Sequence, residues 1–307
     1  MPRRWIIWSV FESFIRLVSS VFQKLVEEIT ATSFGHVLYA ALLIGFVQGI
    51  AGLIILKIRK RTIIDHSVNI IGSIGFGIFA VIAICLSFLV FACGGQLSIH
   101  VFITSMSIVP GALIDRFVFG HLLSRRQWGG VLVAVVAAYV MLSMPSFSQI
   151  LGLRLWVLFS FGTMVAMTIN QGITQHIKDV DPFVKNFWGG TTIFILAGIG
   201  FLIFAKNPIG FFPHKLTFVS LIIGAFSVLL WAVNVLAYKD GASIAIKKLV
   251  VNGSYLGVAA IAGAMGFGEE ITFYKIFALI LYLVGFILLD NQTWIFFWDK
   301  CVARSRE

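Results

Sequence analysis

Long runs without a charged residue decide what this chain can fold into. Seven such runs match or exceed the roughly 20 residues that cross a bilayer as an α-helix. Charged residues make up only 12% of the chain, whereas soluble proteins carry about 25%. The sequence therefore predicts an all-α integral membrane protein and excludes a soluble core. The runs cover residues 35–56, 67–114, 127–153, 155–177, 186–205, 216–238 and 249–268.

Turn-forming residues divide these runs into ten helices. The sequences Cys93-Gly94-Gly95-Gln96, Pro145-Ser146-Phe147-Ser148 and Lys206-Asn207-Pro208 each interrupt or end an apolar segment. The predicted helices cover about residues 5–26, 35–57, 68–91, 97–119, 127–144, 154–175, 183–205, 216–238, 243–266 and 271–290. No soluble domain fits between them.

The basic residues cluster at the ends of the apolar runs, so the net charge of +10 indicates membrane topology rather than a nucleic-acid partner. With a cytoplasmic amino terminus, fourteen basic residues lie on the cytoplasmic side and five on the other, as the positive-inside rule requires. The cytoplasmic set is Arg3, Arg4, Lys57, Arg59, Lys60, Arg61, Arg125, Arg126, Lys178, Lys185, Lys239, Lys300, Arg304 and Arg306; the opposite set is Lys24, Arg154, Lys206, Lys215 and Lys275.

Both chain termini are therefore predicted to be cytoplasmic. No small-residue cleavage site follows the first apolar stretch, which fits a bacterial inner membrane, with an organelle membrane as the alternative. The first helix leaves a second alternative open. Glu12, Arg16 and Lys24 make it amphipathic, so it could lie along the membrane surface; nine helices would then span, and the amino terminus would lie outside.

The two halves of the chain are related by an internal repeat. Phe119-Gly120-His121-Leu122 precedes one apolar helix, and Phe267-Gly268-Glu269-Glu270 precedes another after an offset of 148 residues. This divides the chain into two five-helix repeats, 1–148 and 149–307. Because five is an odd number, the second repeat enters the membrane with inverted topology, a plan that recurs in secondary transporters.

These residues resemble the drug/metabolite transporter superfamily, and in particular its EamA-like ten-helix transporters. Gly268-Glu269 with Gly285 matches the family's Gly-Glu corner, and Ser107-Ile108-Val109-Pro110 is similar to its Ser/Pro break. The sequence departs from the pattern at His121, where the family has Glu, and at Val258, where a matching proline is missing. The resemblance implies ten helices, no ATP hydrolysis and transport by alternating access.

Charged residues inside apolar helices are the main candidates for function, because each costs about 2.5–3.5 kcal/mol at the bilayer centre. Lys247 and Lys248 are neighbours on one helix and point about 100° apart, so one of them, preferably Lys248, is expected to face the central cavity and to bind an anionic group of the substrate. The alternative is that both extend to lipid headgroups. The offset of 148 residues places His100 at the position equivalent to Lys248.

Two acidic residues are the candidates for coupling transport to protons. Asp115 and Arg116 are sequence neighbours, so each is expected to have a partner on another helix, and Arg116 is a candidate substrate contact. Glu12 and Arg16 lie four residues apart and are expected to pair on one helical face. Glu12 and Asp115 are therefore the predicted protonatable carboxylates.

Uncharged polar residues complete the predicted substrate site. Trp231 and Asn234 share a helical face and could form an aromatic wall beside a polar group, as small-molecule pockets do. Tyr238 and Asn170 are the other candidates; interhelical hydrogen bonding is the alternative explanation for such residues.

These observations favour a secondary transporter of a small polar metabolite, amino-acid-like or anionic and nucleotide-like, driven by protons or by exchange. The alternative is an intramembrane enzyme or partner subunit on the same scaffold. The expected partners are the substrate and membrane lipids, with a homodimer left open. The sequence holds no hydrolase, nucleotide-binding or metal-binding motif, so neither enzymatic activity nor a metal or other cofactor is expected.

Overall fold

The computed structural model describes residues 4–29, 33–120, 124–141, 154–205, 214–242 and 244–289. Helix makes up 86% of the structure, and the described residues form no strand, so the predicted all-helical class is confirmed. The helices are α1 (Arg4–Ile29), α2 (Phe34–Ile58), α3 (Ser67–Ala92), α4 (Leu97–Ser105), α5 (Ile108–Phe117), α6 (Arg125–Met141), α7 (Leu155–His176), α8 (Pro182–Phe204), α9 (His214–Lys239), α10 (Ile244–Phe267) and α11 (Phe273–Leu289).

Several of these helices can cross a membrane. Among the described residues, seven segments are long and apolar enough to do so, and two shorter apolar segments cover Val258–Phe267 and Phe273–Gly285. The chain is therefore a multi-pass membrane protein by length and composition. The seven segments are Arg4–Val26, Phe34–Ile58, Ser67–Ala92, Leu97–Ile114, Leu155–His176, Pro182–Phe204 and His214–Lys239.

Helix α1 is amphipathic, as predicted, but its polar face points into the bundle. Glu12, Ser20 and Gln23 are buried, whereas Ile7 and Phe14 are exposed. The helix packs against α9 and α10. An apolar outer face suits lipid, and the polar inner face then needs partners inside the protein. Helix α1 therefore packs as a member of the bundle, with its polar residues inside.

The helix predicted over 97–119 is interrupted. Helix α4 ends at Ser105 and α5 begins at Ile108, within the sequence that resembles the Ser/Pro break. Pro110 has no N–H to donate to the carbonyl four residues earlier, which weakens the helix at this point. The amide of Val109 instead donates to the Met106 carbonyl at 2.9 Å, one residue closer than in an α-helix. The break exposes the last carbonyls of α4 to other helices.

The most extensive contact in the bundle joins α2 and α8, and glycines make it close. A Cβ atom on Gly45 would lie 2.6 Å from the Phe194 amide nitrogen and 2.8 Å from the Gly190 carbonyl oxygen. A Cβ atom on Gly52 would lie 2.7 Å from the Phe187 nitrogen. Small residues let helix backbones approach within a membrane, where van der Waals packing drives association.

We expect Gly45→Ala to destabilise the protein by about 1–3 kcal/mol, because the new methyl group meets backbone atoms that cannot rotate away. Gly198→Ala is the matched control, since its nearest neighbour, Leu42 Cδ1, lies 3.6 Å from the added atom. Thermal unfolding of the purified protein in detergent measures both. Equal melting temperatures for the two variants would contradict this account of the α2–α8 contact.

Candidate functional site

A cavity of about 140 Å³ lies in the middle of the bundle. Its walls come from α1, α2, α3, α4, α7, α9 and α10. Four of the residues predicted from the sequence line it together, which are His100, Asn170, Trp231 and Asn234. This central cavity is the candidate site.

One wall of the central cavity is aromatic. Phe76 and Trp231 meet edge to face, with ring centroids 4.4 Å apart and an interplanar angle of 81°. Asn234, one turn along α9 from Trp231, lines the same cavity. The structure thus brings together the aromatic and polar groups that the spacing on this helix predicted.

His100 is fixed in another wall. Its Nδ1 lies 3.0 Å from Ser160 Oγ and its Nε2 lies 3.3 Å from Ser87 Oγ. Ser87 also donates to Gln23 Oε1 at 2.7 Å, and the ring of Phe91 packs edge to face on the imidazole. Both ring nitrogens therefore have protein partners, and His100 acts in this structure as a hydrogen-bonded wall residue.

Polar and charged side chains close one end of the central cavity, and we call them the Glu12 cluster. They are Glu12, Arg16, Gln171, Asn234, Tyr238 and Lys247. Glu12 forms an ion pair of 2.6 Å with Arg16 Nη2 and one of 2.7 Å with Lys247 Nζ. The predicted pairing of Glu12 with Arg16 is confirmed. Glu12 and Lys247 are each only 1% exposed, so the carboxylate and both cations balance one another away from water.

Gln171 is the second acceptor of the Glu12 cluster. Its Oε1 atom accepts hydrogen bonds from Asn234 Nδ2 at 3.2 Å, Tyr238 Oη at 2.5 Å and Lys247 Nζ at 3.0 Å. Gln171 was not among the predicted substrate contacts, although its neighbour Asn170 was. The signal was an amide inside an apolar helix, and the choice between the two amides depends on their tertiary partners.

Both predicted lysines are buried and neither extends to lipid headgroups. Lys248 is 5% exposed and donates to Ser107 Oγ at 2.6 Å, at the break between α4 and α5. A second, very small cavity next to the central one is lined by Lys247 and Lys248 together. Neither lysine is among the residues that line the central cavity, although one of them was predicted to face it.

Other side chains from the second half hold the broken helix in place. Asn252 donates to the Ser105 carbonyl at 2.8 Å, and the Tyr282 hydroxyl donates to the same oxygen at 3.3 Å. The carbonyl end of a helix carries partial negative charge. The Lys248 ammonium, one turn away on α10, is thus placed beside the negative end of α4.

Among the other predicted residues, Arg116 and Asn170 do not offer a free polar group to the central cavity. Arg116 lies outside it, with its guanidinium 5.8 Å from the ring of Trp128. The side chain of Asp115 lies outside the part of the structure that is described. Asn170 lines the cavity, but in the amide orientation that satisfies both of its atoms it bonds the α3 backbone, at Phe76 O (3.0 Å) and Ala80 N (3.1 Å).

Lys185 is a buried cation that was not predicted. It was assigned to a cytoplasmic segment, but it lies in the first turn of α8 and is 0% exposed. Its Nζ donates to Thr174 Oγ1 at 2.8 Å and lies 3.7 Å from the centroid of the Phe76 ring. Phe76 thus contacts Lys185 and also lines the central cavity.

A second polar group, the Glu269 cluster, lies farther along α1. It consists of Lys24, Leu97, Ser98 and Glu269. Glu269 forms an ion pair with Lys24 and accepts hydrogen bonds from the amides of Leu97 and Ser98 at the start of α4. On α1, the cavity-lining positions 16–23 lie between Glu12 and Lys24. The two clusters therefore flank the central cavity, and a crevice of about 530 Å³ adjoins the Glu269 cluster.

Comparisons with known proteins identify the fold but no family. No family model matches the sequence, and no curated protein matches it. Among solved structures, 28 chains match. One of them, described as "Crystal structure of protein", aligns with a TM-score of 0.62 over 93% of this chain and 98% of its own, at 12% sequence identity. At that identity the likeness concerns the fold alone.

We expect Glu12→Gln to destabilise the protein by about 3–5 kcal/mol, because it leaves Arg16 and Lys247 buried without a counter-ion. The double variant Glu12→Gln with Lys247→Met removes one of the stranded charges and recovers part of that loss. Glu270→Gln, at an exposed carboxylate, is the control. Thermal unfolding in detergent measures all three, and a double variant no more stable than Glu12→Gln would contradict the ion-pair account.

The Glu269 cluster predicts how the stability of the protein depends on pH. Burial acts to raise the pKa of Glu269, but hydrogen bonds from Lys24 and Ser98 outweigh it and hold the pKa below its ordinary value of 4.5. Because the folded-state pKa is depressed, the stabilisation is complete above pH 4.5 and is lost as the pH falls through the folded-state pKa. The melting-temperature difference between the wild type and Glu269→Gln should stay constant from pH 7 to about pH 5.5. A difference that shrinks across that window would refute the assignment.

Proposed function

We propose that this protein is a secondary active transporter of a small polar organic metabolite, working by alternating access with proton coupling or exchange. The observation that carries the proposal is a buried polar cavity at the centre of an apolar bundle, with charged clusters on either side of it. A structural scaffold would gain stability from an apolar core, because each buried charge is costly. Binding of a polar solute in this cavity explains why the protein keeps these buried charges despite their energetic cost.

The balance of charge near the cavity favours a solute with an anionic group. Arg16, Lys247 and Lys248 line the central cavity or the very small cavity beside it, and Glu12 is the one carboxylate among the described residues that line them. Cations in excess of acids inside a low-dielectric region attract an anion strongly. Glu12 and Asp115 are the carboxylates that we propose for coupling.

We also propose ten spanning helices in two inverted repeats, and the helix bounds support this. Moving α2 by 148 residues gives 182–206, and α8 covers Pro182–Phe204. Moving α3 gives 215–240, and α9 covers His214–Lys239. Moving α6 gives 273–289, which are the bounds of α11. The α4–α5 unit corresponds to the continuous helix α10, which has Val258 where the first half has Pro110.

Helix contacts follow the same relation. Helix α1 packs against α9, and the equivalent pair, α7 and α3, also packs. Likewise α2 contacts α9, and the equivalent pair, α8 and α3, is in contact. The two largest contacts, α2 with α8 and α6 with α11, join helices that the repeat makes equivalent. A pseudo-twofold axis through these contacts would place the central cavity between the repeats, where secondary transporters bind substrate.

Membership of the drug/metabolite transporter superfamily and a bacterial inner membrane with both termini cytoplasmic belong to the same proposal. They rest on the corner at Gly268-Glu269, on the Ser/Pro break, which coincides with the end of α4, and on the distribution of basic residues along the chain. A small-molecule substrate and membrane lipids are the proposed partners.

Transport in proteoliposomes tests the proposal. We expect labelled amino acids, nucleotides or organic anions to exchange across vesicles that contain the wild type. Lys248→Met should reduce the exchange about tenfold or more, because the site loses a cation that attracts the anionic group of the solute, and about 1.4 kcal/mol corresponds to a factor of ten. Lys239→Met, at an exposed lysine, is the matched control and should exchange normally.

Two results would count against the proposal. If the folded wild type exchanges none of the labelled amino acids, nucleotides or organic anions, the alternative functions, an intramembrane enzyme or a partner subunit, would be favoured. Equal exchange by Lys248→Met and Lys239→Met would show that Lys248 only holds the helix break. Size-exclusion chromatography of each variant separates these results from misfolding.

A further inference from the structure

The central cavity holds two unused hydrogen-bonding groups of opposite kind, close to one another. From them we infer that its ligand is an α-amino acid, bound by its carboxylate at Arg16 and by its ammonium group at Asn234. The inference rests on the proposed transport function, because it names the solute of the same cavity.

Arg16 offers the contact for the carboxylate. Its Nε and Nη2 atoms both donate to Glu12 Oε1, at 3.0 and 2.6 Å, and among the described residues none accepts a hydrogen bond from Nη1. The guanidinium has five N–H donors in one plane, so one edge faces Glu12 and another remains for a ligand. Arg16 lines the central cavity and its side chain keeps 13% of its surface accessible.

Asn234 offers the contact for the ammonium group. Its Nδ2 atom donates to Glu12 Oε1 and to Gln171 Oε1, both at 3.2 Å. These two acceptors fix the orientation of the amide, and its Oδ1 atom is buried without a partner in the described structure. A buried acceptor without a donor costs about 1–3 kcal/mol. A ligand N–H group removes that cost.

The two contacts are close enough for one small head group. Arg16 Nη2 and Asn234 Nδ2 both donate to the same oxygen of Glu12. Ser19, three residues from Arg16 on α1, adds a buried hydroxyl without a partner in the described structure and lines the same cavity. A carboxylate and an amine on one carbon atom can therefore reach both side chains, whereas a simple carboxylate leaves Asn234 Oδ1 unpaired.

The rest of the cavity suits the side chain of an amino acid. Phe76 and Trp231 form the aromatic wall, and Ile44, Ala83 and Ile223 line the cavity beside it. Apolar lining with a few placed polar groups is the usual form of a small-molecule site. The volume of about 140 Å³ favours a compact side chain over a nucleotide.

The lysines are already engaged and leave Arg16 as the head-group contact. Lys247 pairs with Glu12 and Gln171, and Lys248 donates to Ser107 at the helix break. The ligand carboxylate therefore adds one negative charge to a region rich in cations, and the ammonium group lies near the Glu12 carboxylate, which attracts it.

Ligand analogues test the inference on the wild type without any substitution. Purified protein in detergent is titrated with each standard amino acid, and stabilisation against thermal unfolding reports binding. The best ligand is then compared with the same molecule lacking its amine and with the same molecule lacking its carboxylate; for leucine these are isocaproate and isoamylamine. We expect both analogues to bind about 10- to 100-fold more weakly, since each leaves a buried group unpaired.

Variants assign the two contacts. Asn234→Ala should remove the preference for the amino acid over its deaminated analogue, and Arg16→Lys should weaken both about equally. Asn186→Ala is the matched control, because Asn186 also has a buried Oδ1 without a partner in the described structure but does not line the cavity. It should keep the wild-type preference.

The outcomes separate this inference from the proposed function. Binding of amino acids without flux in proteoliposomes would support the site and overturn transport. Flux of carboxylates that bind as tightly without an amine would support transport and overturn the inference. An α-hydroxy acid that binds as tightly as the amino acid, or no stabilisation by any amino acid, would also overturn it.

Discussion

The Glu12 carboxylate is the interaction on which the polar interior of this bundle depends. It lies in α1, where it pairs with Arg16, and through Asn234 and Lys247 it connects that helix to α9 and α10. A carboxylate and two cations are stable in such an interior only when each has the others as partners. For that reason α1 has its polar face inside the bundle and its apolar face outside, the reverse of a helix on a soluble protein.

The broken helix is the second constraint, and it works with the first. Pro110 interrupts the helical hydrogen bonds, and the carbonyls that this frees must find donors inside the protein because lipid offers none. Asn252 and Tyr282 supply donors to Ser105, and Lys248 bonds the Ser107 hydroxyl. The lysine pair of α10 thus has two separate tasks: Lys247 neutralises Glu12, and Lys248 faces the break.

The all-helical membrane fold was predictable from the sequence, because a long run without charged residues forms a helix in lipid and is rarely stable in a soluble protein. The pair of Glu12 and Arg16 was predictable for a different reason, since a spacing of four residues on one helix brings the two side chains together. Gln171 and Lys185 were not, because their roles depend on partners from distant helices. The positive-inside count placed Lys185 in water, yet one helical turn past the cap at Asp181 its side chain reaches Thr174 inside the bundle. Asn170 was predicted to contact the substrate, but its amide hydrogen-bonds to the backbone of α3.

The two charged clusters also explain how a cavity between them could open on one side at a time. Glu12 and Lys24 both belong to α1, and twelve residues of helix separate them by about 18 Å. A helix of that length tilts as a unit, so a movement that keeps Glu12 on Lys247 tends to pull Lys24 away from Glu269, and the reverse. Each cluster consists of ion pairs that water or a charged ligand can replace, whereas the apolar contacts of α2 with α8 have no such substitute. Under the proposed transport function, alternating access would follow from exchangeable ion pairs at both ends of α1 beside the close backbone contact of α2 with α8.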